Sequence, residues 1–215
     1  VGASTIQHPT YKYSPDGTYS VSLTVTSDNG CIGSVSKTVS VHPKPMAVFS
    51  APDLCLKNTT GFTDVSTAGG NTVTNWYWNF GDGLSGANNF STQQHPVHDY
   101  AVCGDYNVTE IVTTDQGCKD TLGKVVKVYC LPQTFYTGED VCLNDQTDFT
   151  DGTVISAGSV TGWDWAFGDG GTSAVQDPGH VYGAYGVYTV RLITTSDNGC
   201  KDTLYKQVEV YPLPV

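Results

Sequence analysis

The sequence predicts an all-β chain of tandem β-sandwiches strung end to end as a rod. Glycine (24) and tyrosine (13) are abundant while methionine occurs once. Thr, Val and Tyr suit a pleated, half-buried surface and strong helix formers are scarce, so almost no helix is expected. Short alternating stretches recur between Gly/Asn/Asp turn signals at the spacing of a sandwich. The chain also repeats itself, which is the most informative signal it carries.

Residues 76–83 read Trp-Tyr-Trp-Asn-Phe-Gly-Asp-Gly and residues 163–170 read Trp-Asp-Trp-Ala-Phe-Gly-Asp-Gly, which sets Trp78 and Trp165 87 residues apart. The same offset relates Cys55 to Cys142 and Phe62 to Phe149. Asp28-Asn29-Gly30-Cys31, Asp115-Gln116-Gly117-Cys118 and Asp197-Asn198-Gly199-Cys200 run through the whole chain in steps of 87 and 82, and Tyr19, Tyr106 and Tyr188 keep those steps. Two whole units, 46–132 and 133–215, thus follow the rear half of a unit at 1–45. Half a sandwich cannot bury its own core, so its front strands are expected upstream or from another chain.

Within the third unit, strands are expected near 134–137, 146–151, 160–167, 187–195 and 203–210, with one or two weaker ones between 171 and 183. Trp78 and Trp165 should point inward, which turns Tyr77 and Asp164 to the opposite face. Gly81-Asp82-Gly83 and Gly168-Asp169-Gly170 supply positive-φ positions and a short side chain able to cap a tight turn. The Asp-x-Gly-Cys series suits the last hairpin. Tyr19, Tyr106 and Tyr188, each two residues after a glycine, read as tyrosine corners bonded back to upstream backbone.

The chain carries 10 Lys+Arg against 21 Asp+Glu, a net charge of −11. Without a basic patch, neither nucleic acid nor an anionic membrane surface is an expected partner. No apolar run approaches the roughly 18–20 residues of a membrane helix. Seven cysteines without a Cys-x₂-Cys or Cys/His pair point to an oxidising, extracellular compartment and not to zinc. Starting at Val1, the chain reads as a processed product or a segment of something longer.

His95, His98 and His180 beside Asp99 and Asp177 invite a metal or acid–base reading, but their types are not reproduced from unit to unit, and a turn leading into Tyr100 or Tyr182 accounts for them. Asp82 and Asp169 have no evident partner acid or base and recur as turn residues do. Asp145, Asp148 and Asp151 alternate faces on a strand and cannot gather ligands. Structural calcium held by loop oxygens is the one cofactor weighed, in a third unit with 11 acids and 3 bases. No G-x-S-x-G, HExxH or P-loop occurs, so no catalytic, cofactor-binding or metal residue is assigned and the protein is not expected to be an enzyme.

Trp-x-Phe-Gly-Asp-Gly, then Pro96-Val97-His98-Asp99-Tyr100 or Pro178-Gly179-His180-Val181-Tyr182, then Gly-x-Tyr-x-Val, resembles the PKD (polycystic kidney disease) domain over nearly the whole chain. The resemblance implies an Ig-like sandwich used as a spacer or adhesive module, without catalysis. The Gly-Cys-Lys-Asp-Thr hairpins resemble PKD arrays of Bacteroidetes surface proteins, including gliding-motility adhesins and secreted filaments. Asp120-Thr121-Leu122 and Asp202-Thr203-Leu204 resemble an O-glycosylation signal of that group, which would put sugar on Thr121 and Thr203.

Cys103 and Cys130 occur only in the second unit, at one end of the expected sandwich, and are expected to pair. For the repeating set, Cys55 with Cys118 and Cys142 with Cys200 is the simplest assignment. The loop before the second strand and the last hairpin of a regular sandwich lie at opposite ends, so Cys55 with Cys200 competes. Cys31 lacks a partner either way.

Short Pro-rich joints at 42–45, 130–132 and 211–214 favour extended, semi-rigid geometry. The expected function is the repetitive shaft of a surface adhesin or filament, whose partners are adjacent repeats or other copies and whose glycan or protein ligand is unspecified. The alternative is an accessory binding module of a secreted hydrolase, which would present a row of exposed aromatics starting at Trp76 and Trp163.

Overall fold

The computed structural model describes residues 2–214. The first part of the chain contributes one antiparallel hairpin, β1 (Gly17–Thr26) and β2 (Ile32–Val41). Leu23, Val25, Ile32 and Val35 on it are all more than half exposed.

The second unit comprises β3 (Phe49–Ser50), β4 (Leu54–Cys55), β5 (Thr60–Gly61), β6 (Thr63–Asp64), β7 (Val73–Asn79), β8 (Phe90–Ser91), β9 (Val97–His98), β10 (Gly104–Thr114) and β11 (Lys119–Tyr129). The third comprises β12 (Tyr136–Gly138), β13 (Val141–Cys142), β14 (Gln146–Asp151), β15 (Val160–Ala166), β16 (Thr172–Ser173), β17 (Gly179–Val181), β18 (Gly186–Ser196) and β19 (Lys201–Tyr211). A five-stranded sheet β4-β11-β10-β7-β8 faces the pairs β3-β6 and β5-β9, and β13-β19-β18-β15-β16 faces β12-β14-β17. Both units are all-β Ig-like sandwiches.

The long hairpins set the layers. Along β10 and β18 every second side chain from Val108 and Val190 onward is buried, the period of two expected of a sheet with one face on the core. Trp78 and Trp165 are fully buried at the centre of the two cores. Each meets an aromatic ring of the first strand edge-on, Phe49 at 5.1 Å and Tyr136 at 4.9 Å. In both cores the opposing sheet adds one more ring, Phe62 or Phe149.

Two features depart from the sequence expectation. β4 and β13 are two-residue strands pairing in parallel with the ends of β11 and β19, too short for any alternation to show. After Asp82 the second unit has two short 3₁₀ turns within Gly83–Asn89, separated by a kink at Gly86. Gly83 accordingly lacks the positive φ expected of it, whereas Gly170 of the third unit has it.

Gly81 and Gly168 need to be glycine twice over. Their φ values are 73° and 92°, and a Cβ would lie 2.6 Å from the Asn107 carbonyl oxygen or 2.8 Å from that of Thr189. Gly168→Ala is expected to destabilise the third unit by about 1–3 kcal/mol. A melting temperature unchanged by that substitution would contradict the backbone geometry.

Candidate functional site

The Trp-x-Phe-Gly-Asp-Gly segment forms the hub of each unit. The indole Nε1–H of Trp78 donates to the Gln93 carbonyl at 2.9 Å, and that of Trp165 to the Val175 carbonyl at 3.0 Å. The turn carboxylates are not solitary. Asp82 Oδ2 lies 3.1 Å from His98 Nε2 and Asp169 Oδ2 lies 2.8 Å from His180 Nε2. His98 stacks on Phe80 and meets Tyr100 edge-on, and His180 does the same between Phe167 and Tyr182. The Tyr100 and Tyr182 hydroxyls donate to the carbonyls of Phe80 and Phe167.

His98 and His180 thus occupy equivalent places, contrary to the expectation that histidine is not reproduced. Each Asp–His pair joins the turn after the tryptophan strand to β9 or β17 of the other sheet. The pair is also the partner that Asp82 and Asp169 lacked in the sequence reading. Turn capping belongs to the third unit alone, where Asp169 Oδ1 accepts from the Gly171 N–H at 2.8 Å. Burial would raise the Asp169 carboxyl, but the hydrogen bonds from His180 and Gly171 hold it below the usual carboxylate range. Enclosed between aromatic rings, the pair acts as a clamp between sheets.

A second carboxylate repeats with it. The Trp76 indole donates to Asp64 Oδ2 at 2.7 Å and the Trp163 indole to Asp151 Oδ2 at 2.8 Å. Both tryptophans are half-buried and pack against the cores, so the exposed aromatic row proposed to start from them does not exist. His95 and Asp177 also share a job despite their different chemistry: each accepts the backbone N–H of the neighbouring acid, Asp64 or Asp151. Burial would raise Asp64, but hydrogen bonds from Ser66, Gln94 and Trp76 bring it below its ordinary value.

Glu110 escaped the sequence reading. It is fully buried between Val108 and Val112, directly across from Trp78, where the third unit has Leu192 across from Trp165. Neither carboxyl oxygen has a hydrogen-bond partner. Burial and then the charge of Asp64 push it up to about 8. An acid in an inward register of an alternating strand was the available signal.

The tyrosine corners are alike in all three copies: the hydroxyls of Tyr19, Tyr106 and Tyr188 donate to the carbonyls of Pro15, Val102 and Ala184, four residues upstream. Thr121 and Thr203 are exposed on β11 and β19. Their neighbours Asp120 and Asp202 accept the backbone N–H of Ala47 and Thr134, each at 2.9 Å, fixing the path by which the chain enters each unit.

Cys103 is bonded to Cys130 and Cys55 to Cys200. Cys118 and Cys142 are free, so the simplest assignment, Cys55 with Cys118 and Cys142 with Cys200, is not the one formed. Distance is the reason. Cys55 lies beside Tyr129 at the end of β11 and Cys118 just before its start, about 30 Å apart along an 11-residue strand, against the roughly 7 Å limit between Cα atoms for a disulfide. The last hairpin of the third unit instead comes to the end of the second unit, with a Cα–Cα distance of 5.6 Å. A shallow cleft at this joint is lined by Cys55, Lys57 and Leu131 on one side and Gly199, Lys201 and Asp202 on the other.

Among the described residues no three His, Cys, Asp or Glu side chains converge as metal ligands, and no helix is long and apolar enough to cross a membrane.

The chain is 43% identical over 58 residues to collagenase ColA of Bacillus cereus and 27% identical over 152 residues to the pre-pro-metalloprotease PrtV of Vibrio cholerae. Those stretches cover 26% and 67% of this chain but only 6% and 15% of the two proteases. The crystal structure of the PKD1 domain from Vibrio cholerae PrtV aligns at 29% identity and a TM-score of 0.36, over 40% of this chain and 98% of that domain. The PKD domain family model matches residues 42–129 and 132–210. With most of its length in those two matches, the chain belongs to the PKD domain family.

Proposed function

We propose that this chain is a stretch of the repetitive shaft of a bacterial extracellular adhesin or filament, a non-catalytic spacer whose units are held end to end. The observation that supports it most is the Cys55–Cys200 disulfide, which ties one unit to the next across the Leu131-Pro132 joint. A flexible tether would have no use for that bond. The contact ahead of the second unit points the same way: the Asn71 side-chain amide donates to the Pro43 carbonyl of the preceding joint. Disulfides suit an oxidising, extracellular setting, and the exposed Thr121 and Thr203 suit O-glycosylation of the Bacteroidetes type.

Small-angle scattering tests the reading. The oxidised chain is expected to scatter as a stiff elongated particle, and a Cys55→Ser/Cys200→Ser variant as a jointed one with a broader distribution of lengths. Equal profiles would remove the disulfide from a spacer role.

The protease relatives favour a second reading, an accessory module that positions a hydrolase on its substrate. Tyr77 and Phe90 are exposed and stacked at 5.8 Å in the second unit, but Tyr77 is replaced by Asp164 in the third, whose exposed aromatics Phe135, Tyr185 and Tyr205 have no such stacked partner among the described residues. Co-sedimentation of the chain with insoluble collagen or polysaccharide, abolished by Tyr77→Ala, would favour this reading over the spacer.

A further inference from the structure

We propose that Cys142 is the open half of a repeat-to-repeat disulfide clamp, and that its occupant is the Gly-Cys hairpin of a further repeat of this kind, in this chain Cys31 of a second copy. The Cys55–Cys200 bond shows how the clamp closes: a cysteine at the tail end of one unit meets the hairpin cysteine at the head end of the next.

The tail half is built identically around Cys142. Cys55 pairs with Tyr129 and Cys142 with Tyr211. The following amide donates to the same tyrosine's carbonyl, Leu56 to Tyr129 at 2.8 Å and Leu143 to Tyr211 at 2.9 Å. Two residues after each cysteine the backbone turns left-handed, with φ of 73° at Lys57 and 74° at Asn144. A further backbone bond closes each turn, Asn58 N–H to the Cys55 carbonyl and Asp145 N–H to the Cys142 carbonyl. Cys142 is exposed.

The head half is equally uniform. The Cys31, Cys118 and Cys200 amides donate to the hydroxyls of Ser27, Thr114 and Ser196 at 3.1–3.2 Å, and their carbonyls accept from the same three residues' N–H groups at 2.8–2.9 Å. Of the two free hairpin cysteines, Cys118 is half-buried and its end of the unit already meets the Pro43 joint, whereas Cys31 is exposed. A tail cysteine from outside therefore reaches Cys31.

The chemistry is two-step thiol–disulfide exchange with a low-molecular-weight disulfide as oxidant. The Cys142 thiolate attacks oxidised glutathione, forming a mixed disulfide and expelling one glutathione thiolate. The Cys31 thiolate of the second copy then attacks the Cys142 sulfur and expels the second. Two protein thiols are oxidised and one glutathione disulfide is reduced to two glutathiones. Repetition of a head-to-tail contact gives an open chain of copies.

The inference deepens the spacer reading and rests on it for its occupant. The test is oxidation of the 215-residue chain with oxidised glutathione, followed by non-reducing electrophoresis and peptide mapping without reduction. A ladder linked through Cys142–Cys31 is expected, lost in Cys142→Ser and in Cys31→Ser and retained in Cys118→Ser. Cys142 recovered only as its glutathione adduct, or linked mainly to Cys142 or Cys118 of another copy, would overturn the proposal. Because scattering of the monomer depends on Cys55–Cys200 alone, a stiff monomer with capped Cys142 would sink this inference and leave the spacer reading standing. In native material, linkage of Cys142 to a Cys31 peptide identifies another copy, and linkage to a different Gly-Cys peptide identifies a following repeat; both support the clamp.

Discussion

Replacing Trp165 with alanine is expected to cost the third unit about 3–5 kcal/mol, the range for deleting a large aromatic from a packed core. A unit of this size has roughly 4–12 kcal/mol in total, so the variant should be unfolded or close to it. The loss has several parts. Trp165 is fully buried against Tyr136, Phe149 and Phe167, and its indole satisfies the Val175 carbonyl. No neighbour can refill that volume, because Phe167 is held by the Gly168 turn and Tyr136 by its own hydroxyl, which donates to the Val190 carbonyl at 2.6 Å. Calorimetry should show one transition falling by on the order of 15 °C or more, with the second unit melting where it did before. Coincident loss of both transitions would mean that the units do not fold independently.

The second large effect has the opposite sign. Glu110→Leu is expected to stabilise the second unit by about 1–3 kcal/mol at alkaline pH, since it replaces an unpartnered buried carboxyl with the residue that its sister unit uses. The wild-type cost depends on pH. The folded-state pKa of about 8 lies above the ordinary 4.5, so between those values the folded chain holds more protons than the unfolded one, and stability falls as pH rises. The contribution is intact below pH 4.5 and lost once pH has passed about 8. The Asp64 and Asp169 carboxyls, lowered from 3.8, act below that window and in the other direction. Melting temperatures of wild type, Glu110→Leu and Glu110→Gln across pH 4–9 should therefore diverge on the alkaline side, with the variants the flatter curves. Parallel curves would show that Glu110 does not titrate there.

Much of the architecture was legible because it is written twice. Trp78 with Trp165 and Gly81 with Gly168 mark strand and turn by residue type alone. The short parallel strands at Leu54–Cys55 and Val141–Cys142 were not, since two residues beside a longer partner leave no period to read. The Asp82–His98 clamp was not legible for a related reason: its members are 16 residues apart, and the Pro-x-His-x-Tyr match that sets His98 beside His180 carries no sign of the carboxylate each one meets. Glu110 was hidden by its own strand, whose alternation is otherwise regular. The cysteine problem shows what topology adds. Sequence spacing favoured closing each unit on itself, while the distance between the two ends of a sandwich forbids it and hands Cys55 to the next unit's hairpin.

That cross-unit bond also decides which parts of the molecule would feel a pull applied at its two ends. Tension entering before Cys55 leaves after Cys200 through a pair of sulfur atoms, so the 145-residue span between them lies outside the load path. At about 3.5 Å per residue, roughly 500 Å of slack chain is thereby withheld from extension. Even if the cores around Trp78 and Trp165 melted, the distance between the two anchor points would stay at the length of a single bond between cysteines. Only the leading hairpin, the entry segment that carries β3 as far as Cys55, and the last strand, β19, remain in series with the force.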